Sequence, residues 1–141
     1  MLTHIALAKS LLKIHEGFEA HPYKCTAGIW TIGYGRNLET RGITEDEALY
    51  MLENDIKIAE DWLASRYPYY RALNSQRKAV LIDMLVNLGA GRFAQFLKMH
   101  HALHDHNYEL AALEMLDSRW AQQVGNRAIE LSKIMHSGSM P

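Results

Sequence analysis

The stretch from Glu16 to Arg36 carries the residue types and spacings that could do chemistry. A glutamate ends an amphipathic segment, the chain's one cysteine follows at Cys25, and Thr31 precedes Gly33 and Gly35. A carboxylic acid on a helix end, set against small polar groups on a twisted hairpin, can place a proton donor and a water-holder on opposite sides of one bond. That suits acid-assisted hydrolysis of an acetal, in which one group protonates the leaving oxygen and another directs water. General-acid work near neutral pH asks for burial of the carboxyl, or for loss of its solvent when substrate binds. Each residue also has a plain structural use. Glycines suit any tight hairpin, threonine is a good strand residue, and a lone cysteine can fill a small buried space.

Several elements must position these groups. Residues 3–15 read as a helix, with Ile5, Ala8 and Leu12 along one face. Residues 21–39 read as strand and turn: Pro22 stops the helix, Ile29-Trp30-Thr31-Ile32 is β-branched and aromatic, and Gly33-Tyr34-Gly35 turns. Thr44 and Glu47 form a capping box. Behind it Ala48, Met51, Leu52, Ile56, Ala59, Trp62 and Leu63 recur at helical spacing up to Tyr67-Pro68. That spacing predicts one continuous helix of about 22 residues, or about 33 Å, too long for a single small lobe. Asn74 or Ser75 caps an apolar helix that stops at Gly89, Asn107 caps residues 108–116, and Asn126 caps residues 127–136. The tail 137–141 reads as frayed. The pattern divides one domain, residues 1–141, into a β-containing lobe over about 16–43, an inter-lobe helix over about 44–66, and a helical lobe over about 67–136 that also takes residues 1–15.

At 48% apolar and 22% charged residues, the chain can bury a proper core and has no disordered composition. A net charge of −1 argues against a nucleic-acid partner. One cysteine allows no internal disulfide and is compatible with folding in a reducing cytoplasm. Lys9, Lys13 and Glu16 interrupt the N-terminal apolar stretch, so it does not read as a signal peptide. No run approaches the ~18 apolar residues that span a bilayer, and no stable membrane association is expected. His100, His101, His104 and His106 have the look of a metal cluster, but no His-Glu-x-x-His pattern or cysteine pairing accompanies them. They read as a solvated helix surface; neither metal nor cofactor is expected.

The run from Glu16 to Gly35 resembles the phage-type lysozymes (endolysins, muramidases of glycoside hydrolase family 24). Their signature is Glu, eight residues, Asp or Cys, five residues, Thr, then Ile-Gly-x-Gly; Glu16, Cys25 and Thr31 match it position for position. Asp83-Met84-Leu85-Val86-Asn87-Leu88-Gly89 resembles the family's central helix of the C-terminal lobe. Ser118-Arg119-Trp120 and Asn126-Arg127-Ala128 are similar to its late signature. The resemblance covers nearly the whole chain. It implies an α+β, mostly α, lysozyme-like fold: a small β-hairpin lobe and a helical C-terminal lobe joined by a long helix. A short connection after Arg36-Asn37-Leu38 points to a reduced β-lobe of two or three short strands.

The resemblance also implies an activity: hydrolysis of the β-1,4 bond between N-acetylmuramic acid and N-acetylglucosamine in bacterial peptidoglycan, leading to host cell lysis. Glu16 is the implied acid, with Arg127 near it as a positioning and charge-balancing partner. Cys25 stands where the family more commonly has Asp, and three roles stay open: thiolate-assisted base, covalent nucleophile, or hydrogen-bonding spectator. The favoured reading is single displacement with inversion, Cys25 and Thr31 orienting the water. Tyr34, with Trp30 and Tyr23, could offer a face to a sugar ring or pack onto its own lobe. Asn87 could bind a sugar amide or cap its helix, and Arg36 reads as an ion-pair partner. A monomer is expected, made in the host cytoplasm and dependent on a holin to reach the wall. The rivals are a lytic transglycosylase, which needs one catalytic glutamate, and a non-catalytic wall-binding protein that keeps the fold.

Overall fold

The computed structural model describes Met1 and residues 3–141. Among these the chain forms eight α-helices and one three-stranded antiparallel sheet of order β1-β2-β3, and divides into two compact units, Met1–Tyr50 and Met51–Pro141. The expected α+β, mostly helical class is what is found. The helix of residues 4–16 groups with the sheet in the first unit, whereas the sequence reading places residues 1–15 with the helical lobe.

In the first unit, α1 (His4–Glu16) begins where the Thr3 hydroxyl accepts the Ala6 N–H at 3.1 Å and ends at Gly17, whose φ of 70° turns the chain out of the helix. β1 (Glu19–Lys24) pairs with β2 (Trp30–Gly33), and β2 pairs with β3 (Arg36–Asn37). Pro22 does not act as a helix stop: it lies within β1, where the register shifts between Glu19 and Tyr23. β1 is an edge strand, and an edge with an irregularity is where a residue lacking an N–H is tolerated.

α2 (Glu45–Arg66) is one unbroken helix of 22 residues. Its capping box forms as the sequence predicts: the Glu47 N–H donates to the Thr44 hydroxyl at 3.2 Å, and the Thr44 N–H donates to the Glu47 carboxylate at 2.9 Å. Arg36 grips the same carboxylate with two N–H groups, at 2.8 and 2.6 Å, and also donates to the Gly42 carbonyl at 3.1 Å. A bidentate guanidinium fork thereby ties β3 to the start of α2. Arg36 is an ion-pair partner, as read from the sequence.

In the second unit a short 3₁₀ turn, Pro68–Ala72, precedes α3 (Ser75–Leu88), capped by Asn74. α4 (Ala90–Ala94), α5 (Leu97–His104), α6 (Tyr108–Leu116), α7 (Arg119–Val124) and α8 (Asn126–Ser137) follow. Asn107 caps α6 as expected. One expectation needs correction: Asn126 is the first residue of α8 rather than its cap, and Ser118 caps a separate helix, α7. Gly125, at φ 61°, makes the tight link between them and leaves Asn126 no capping geometry. The beginning of the tail is also tied down. Arg77 donates to the carbonyls of Met135 and His136, and the Asn74 amide donates to that of Gly138.

The core of this unit is apolar and fully packed around Leu63, Leu81, Met84, Phe93, Met99, Leu103, Met115 and Met135. Each such side chain removed from water contributes roughly 1.5–3 kcal/mol before entropy is counted. His100 corrects the sequence reading. It is 6% exposed, not solvated, and stacks on Tyr67 with ring centroids 4.4 Å apart. One ring nitrogen lies 2.7 Å from the Tyr69 hydroxyl and the other 2.9 Å from the Phe93 carbonyl, so both are satisfied in the core. Among the described residues no histidine takes part in a metal-ligating group.

Candidate active site

Four of the six residues singled out by sequence lie in the first unit. Strand pairing sets their arrangement. Tyr23 faces Thr31 and Lys24 faces Trp30 across the β1–β2 hairpin. Alternation then puts Tyr23, Cys25, Ile29 and Thr31 on one face, and Lys24 and Trp30 on the other. The loop between the strands closes through Cys25 N–H to Ile29 O at 3.0 Å and Gly28 N–H to Cys25 O at 2.8 Å. Gly28, at φ 77°, completes this three-residue connection. Cys25 and Thr31 are thus diagonal neighbours on the inner face. Thr31 is buried and Cys25 half-buried. Trp30 is exposed on the opposite face, under the Lys24 ammonium at 5.2 Å, and so is not part of the Cys25–Thr31 surface.

The Thr31 hydroxyl donates to the Ile29 carbonyl at 2.8 Å. That bond fixes the side chain and leaves the oxygen's lone pairs free to accept. Hydrogen bonds from the backbone at Ile29 and then Ala27 hold the Cys25 thiol below its ordinary pKa, outweighing a smaller opposing effect of burial; the Thr31 hydroxyl adds to the lowering. The hydroxyl has one proton: it goes to Ile29 here, and rotation about the C–O bond offers it to a thiolate.

Glu16 is the last residue of α1 and is exposed, so the burial that general-acid work asks for is not supplied by the fold alone. Its side chain lies directly against Gly35 in the β2–β3 turn: a Cβ at Gly35 would stand 2.7 Å from Glu16 Oε2 and 2.8 Å from its Cδ. Tyr34, at the tip of the same turn, is half exposed and leans on the end of α1. Its ring centroid lies 5.7 Å from that of Phe18 and 6.0 Å from Lys13 Nζ. The turn is therefore what braces the Glu16 carboxyl.

The other two candidates, Asn87 and Arg127, belong to the second unit, and each has a partner there. The Asn87 side-chain oxygen accepts the Trp120 indole N–H at 2.7 Å, joining the end of α3 to α7. Arg127, at the start of α8, pairs with Asp83 of α3 at 2.8 Å. The sequence reading did not single out Asp83, Trp120 or Gly35 for these roles. All three lie inside the quoted motifs, but nothing local says which side chain each would meet.

The phage lysozyme family model matches residues 13–133. Similar curated proteins include a probable T4-type lysozyme of Dictyostelium discoideum, 24% identical over 96% of this chain and 97% of that protein. A SAR-endolysin of Haemophilus phage HP1 is 30% identical over 63% of this chain and 49% of that protein. The pre-baseplate central spike protein of Enterobacteria phage T4 is 30% identical over 70% of this chain and 18% of that protein.

Proposed function

Because the chain belongs to the phage lysozyme family, we propose that it is an endolysin that hydrolyses the β-1,4 bond between N-acetylmuramic acid and N-acetylglucosamine in peptidoglycan. The observation that carries this reading is the arrangement of one unit: a carboxyl at the end of α1, braced by the hairpin turn, and a thiol–hydroxyl pair on the inner face of the same sheet.

Glu16 protonates the glycosidic oxygen as the bond breaks, and the developing oxocarbenium ion is attacked by water from the opposite face. Thr31, its proton committed to Ile29, accepts a hydrogen bond from that water. The Cys25 thiol, with its lowered pKa, acts with Thr31 to orient the water, which gives up a proton to solvent as it adds, and the product forms with inversion. Arg127, paired with Asp83, holds the start of α8 to α3. Tyr34 and Asn87 contribute to sugar binding; Asn87 has its amide N–H groups available while its oxygen serves Trp120. Among the described residues no helix is long and apolar enough to cross a membrane, and passage to the wall through a holin is part of the proposal.

Mass spectrometry of digested sacculi tests the reaction. Hydrolysis leaves reducing muramic ends. A transglycosylase, in which the substrate's own 6-hydroxyl attacks, leaves 1,6-anhydro ends and needs no water-holder. Anhydro products as the main species would overturn the hydrolytic mechanism, and no release of fragments would favour a wall-binding protein.

A further inference from the structure

We propose that Gly35 is a positioning residue for the acid: its missing side chain is the space into which the Glu16 carboxyl fits. The inference rests on the reading of Glu16 as the acid. Three side-chain atoms of Glu16 crowd the place where a Cβ would stand, Oε2 at 2.7 Å, Cδ at 2.8 Å and Cγ at 3.2 Å. Within the first unit, among the described residues, the Glu16 carboxylate makes no hydrogen bond or ion pair, so the wall formed by the turn is what limits its rotamers. An alanine at position 35 must push the carboxyl away. Being the end of a flexible side chain, the carboxyl can yield, and the acid moves rather than the sheet.

The same turn supplies its own control. Gly33 and Gly35 both have positive φ, 70° and 75°, so an alanine is strained at either position. A Cβ at Gly33 meets nothing within 4 Å. Gly33→Ala therefore reports the strain alone, and Gly35→Ala reports strain plus displacement of Glu16.

Two measurements test this. In wall-clearing kinetics, Gly35→Ala should lower kcat by on the order of 10²-fold relative to Gly33→Ala, with little change in KM, as a displaced catalytic group does. In thermal unfolding, the cost of Gly35→Ala should fall when Glu16→Ala removes the crowding atoms, while the cost of Gly33→Ala should stay the same. A Gly35→Ala protein that folds only in the Glu16→Ala background also supports the proposal. Equal effects of the two glycine substitutions on kcat, with a melting-temperature cost of Gly35→Ala that is unchanged by Glu16→Ala, would overturn it. Glu16→Gln, measured alongside, separates the two claims. An active Glu16→Gln enzyme removes the acid reading and this inference with it. An inactive one with matched glycine variants removes only the role of Gly35.

Discussion

Cys25 and Thr31 are diagonal neighbours on the inner face of the β1–β2 hairpin, and the Thr31 hydroxyl that donates to Ile29 at 2.8 Å is also one of the groups that lower the Cys25 pKa. The thiolate is the reactive form, so the rate of Cys25 alkylation should rise with pH to a plateau at lower pH than for a free cysteine. Thr31→Val should move that rise to higher pH, because one stabilising hydrogen bond is lost. An unchanged profile in Thr31→Val would break the link between the two residues.

The same pair predicts an order of activities. Cys25→Asp should be tolerated, since a carboxylate there restores the commoner family pattern. Cys25→Ala should clear wall more slowly than Cys25→Asp, and Thr31→Ala should also be impaired. A fully active Cys25→Ala enzyme would remove Cys25 from the mechanism and leave the acid in place.

The Arg36–Glu47 pair predicts an acid-sensitive joint. Hydrogen bonds from Arg36 first, and from the Thr44 N–H, hold the Glu47 carboxyl well below its usual 4.5, at about 2. A carboxyl depressed by folding contributes stability that is fully present above its unfolded value and is lost as pH falls through its folded value. Glu47→Gln keeps the capping box but loses the charge. Its melting temperature should lie below wild type at neutral pH, and the gap should close between about pH 4.5 and about pH 2. A gap independent of pH would show that the ion pair contributes nothing.

How far the sequence reaches is plainest in the contrast between Glu47 and His100. The capping role of Glu47 is legible because Thr44 is only three residues away, whereas which acid Arg36 would meet is not given by spacing. Asn74, Asn107 and the unbroken α2 are legible for the same reason, since capping and helical periodicity are local. His100 is not. Its acceptor and donor, Phe93 and Tyr69, come from other elements, and in sequence the run of histidines suggested a polar surface. Met99 and Leu103, buried on either side of it, were the available hint. Cys25, Thr31 and Glu16 stand out by motif, whereas the contact between Glu16 and Gly35 depends on how a turn docks on a helix end and leaves no local signal.

His100 itself should make the helical unit acid-sensitive. Burial is the main cause lowering its pKa from 6.5; nearby His104, Arg66 and His101 add to this, while the Phe93 carbonyl opposes it. The folded protein therefore favours the neutral ring. The stability this gives is present above about pH 6.5 and declines as pH falls below it. The part of the melting-temperature slope below that pH that belongs to His100 should vanish in His100→Gln, whatever that variant's overall stability. An identical slope would assign the acid sensitivity elsewhere.

The Asn87–Trp120 bond predicts a stability cost separate from any binding role. Trp120 is 4% exposed, and Asn87→Ala leaves its indole N–H without an acceptor. An unpaired buried donor costs about 1–3 kcal/mol, measurable by denaturant unfolding followed by tryptophan fluorescence. A variant as stable as wild type would mean that water replaces the amide.

In the proposed mechanism Glu16 supplies the proton that breaks the wall's glycosidic bond. Clearing of a peptidoglycan suspension by purified wild type and Glu16→Gln, matched for folded content by circular dichroism, tests it most directly. The substitution is nearly isosteric and sits at an exposed helix end, so the fold should be kept while clearing falls by on the order of 10² to 10⁴. A folded Glu16→Gln protein that clears wall at close to the wild-type rate would contradict the account.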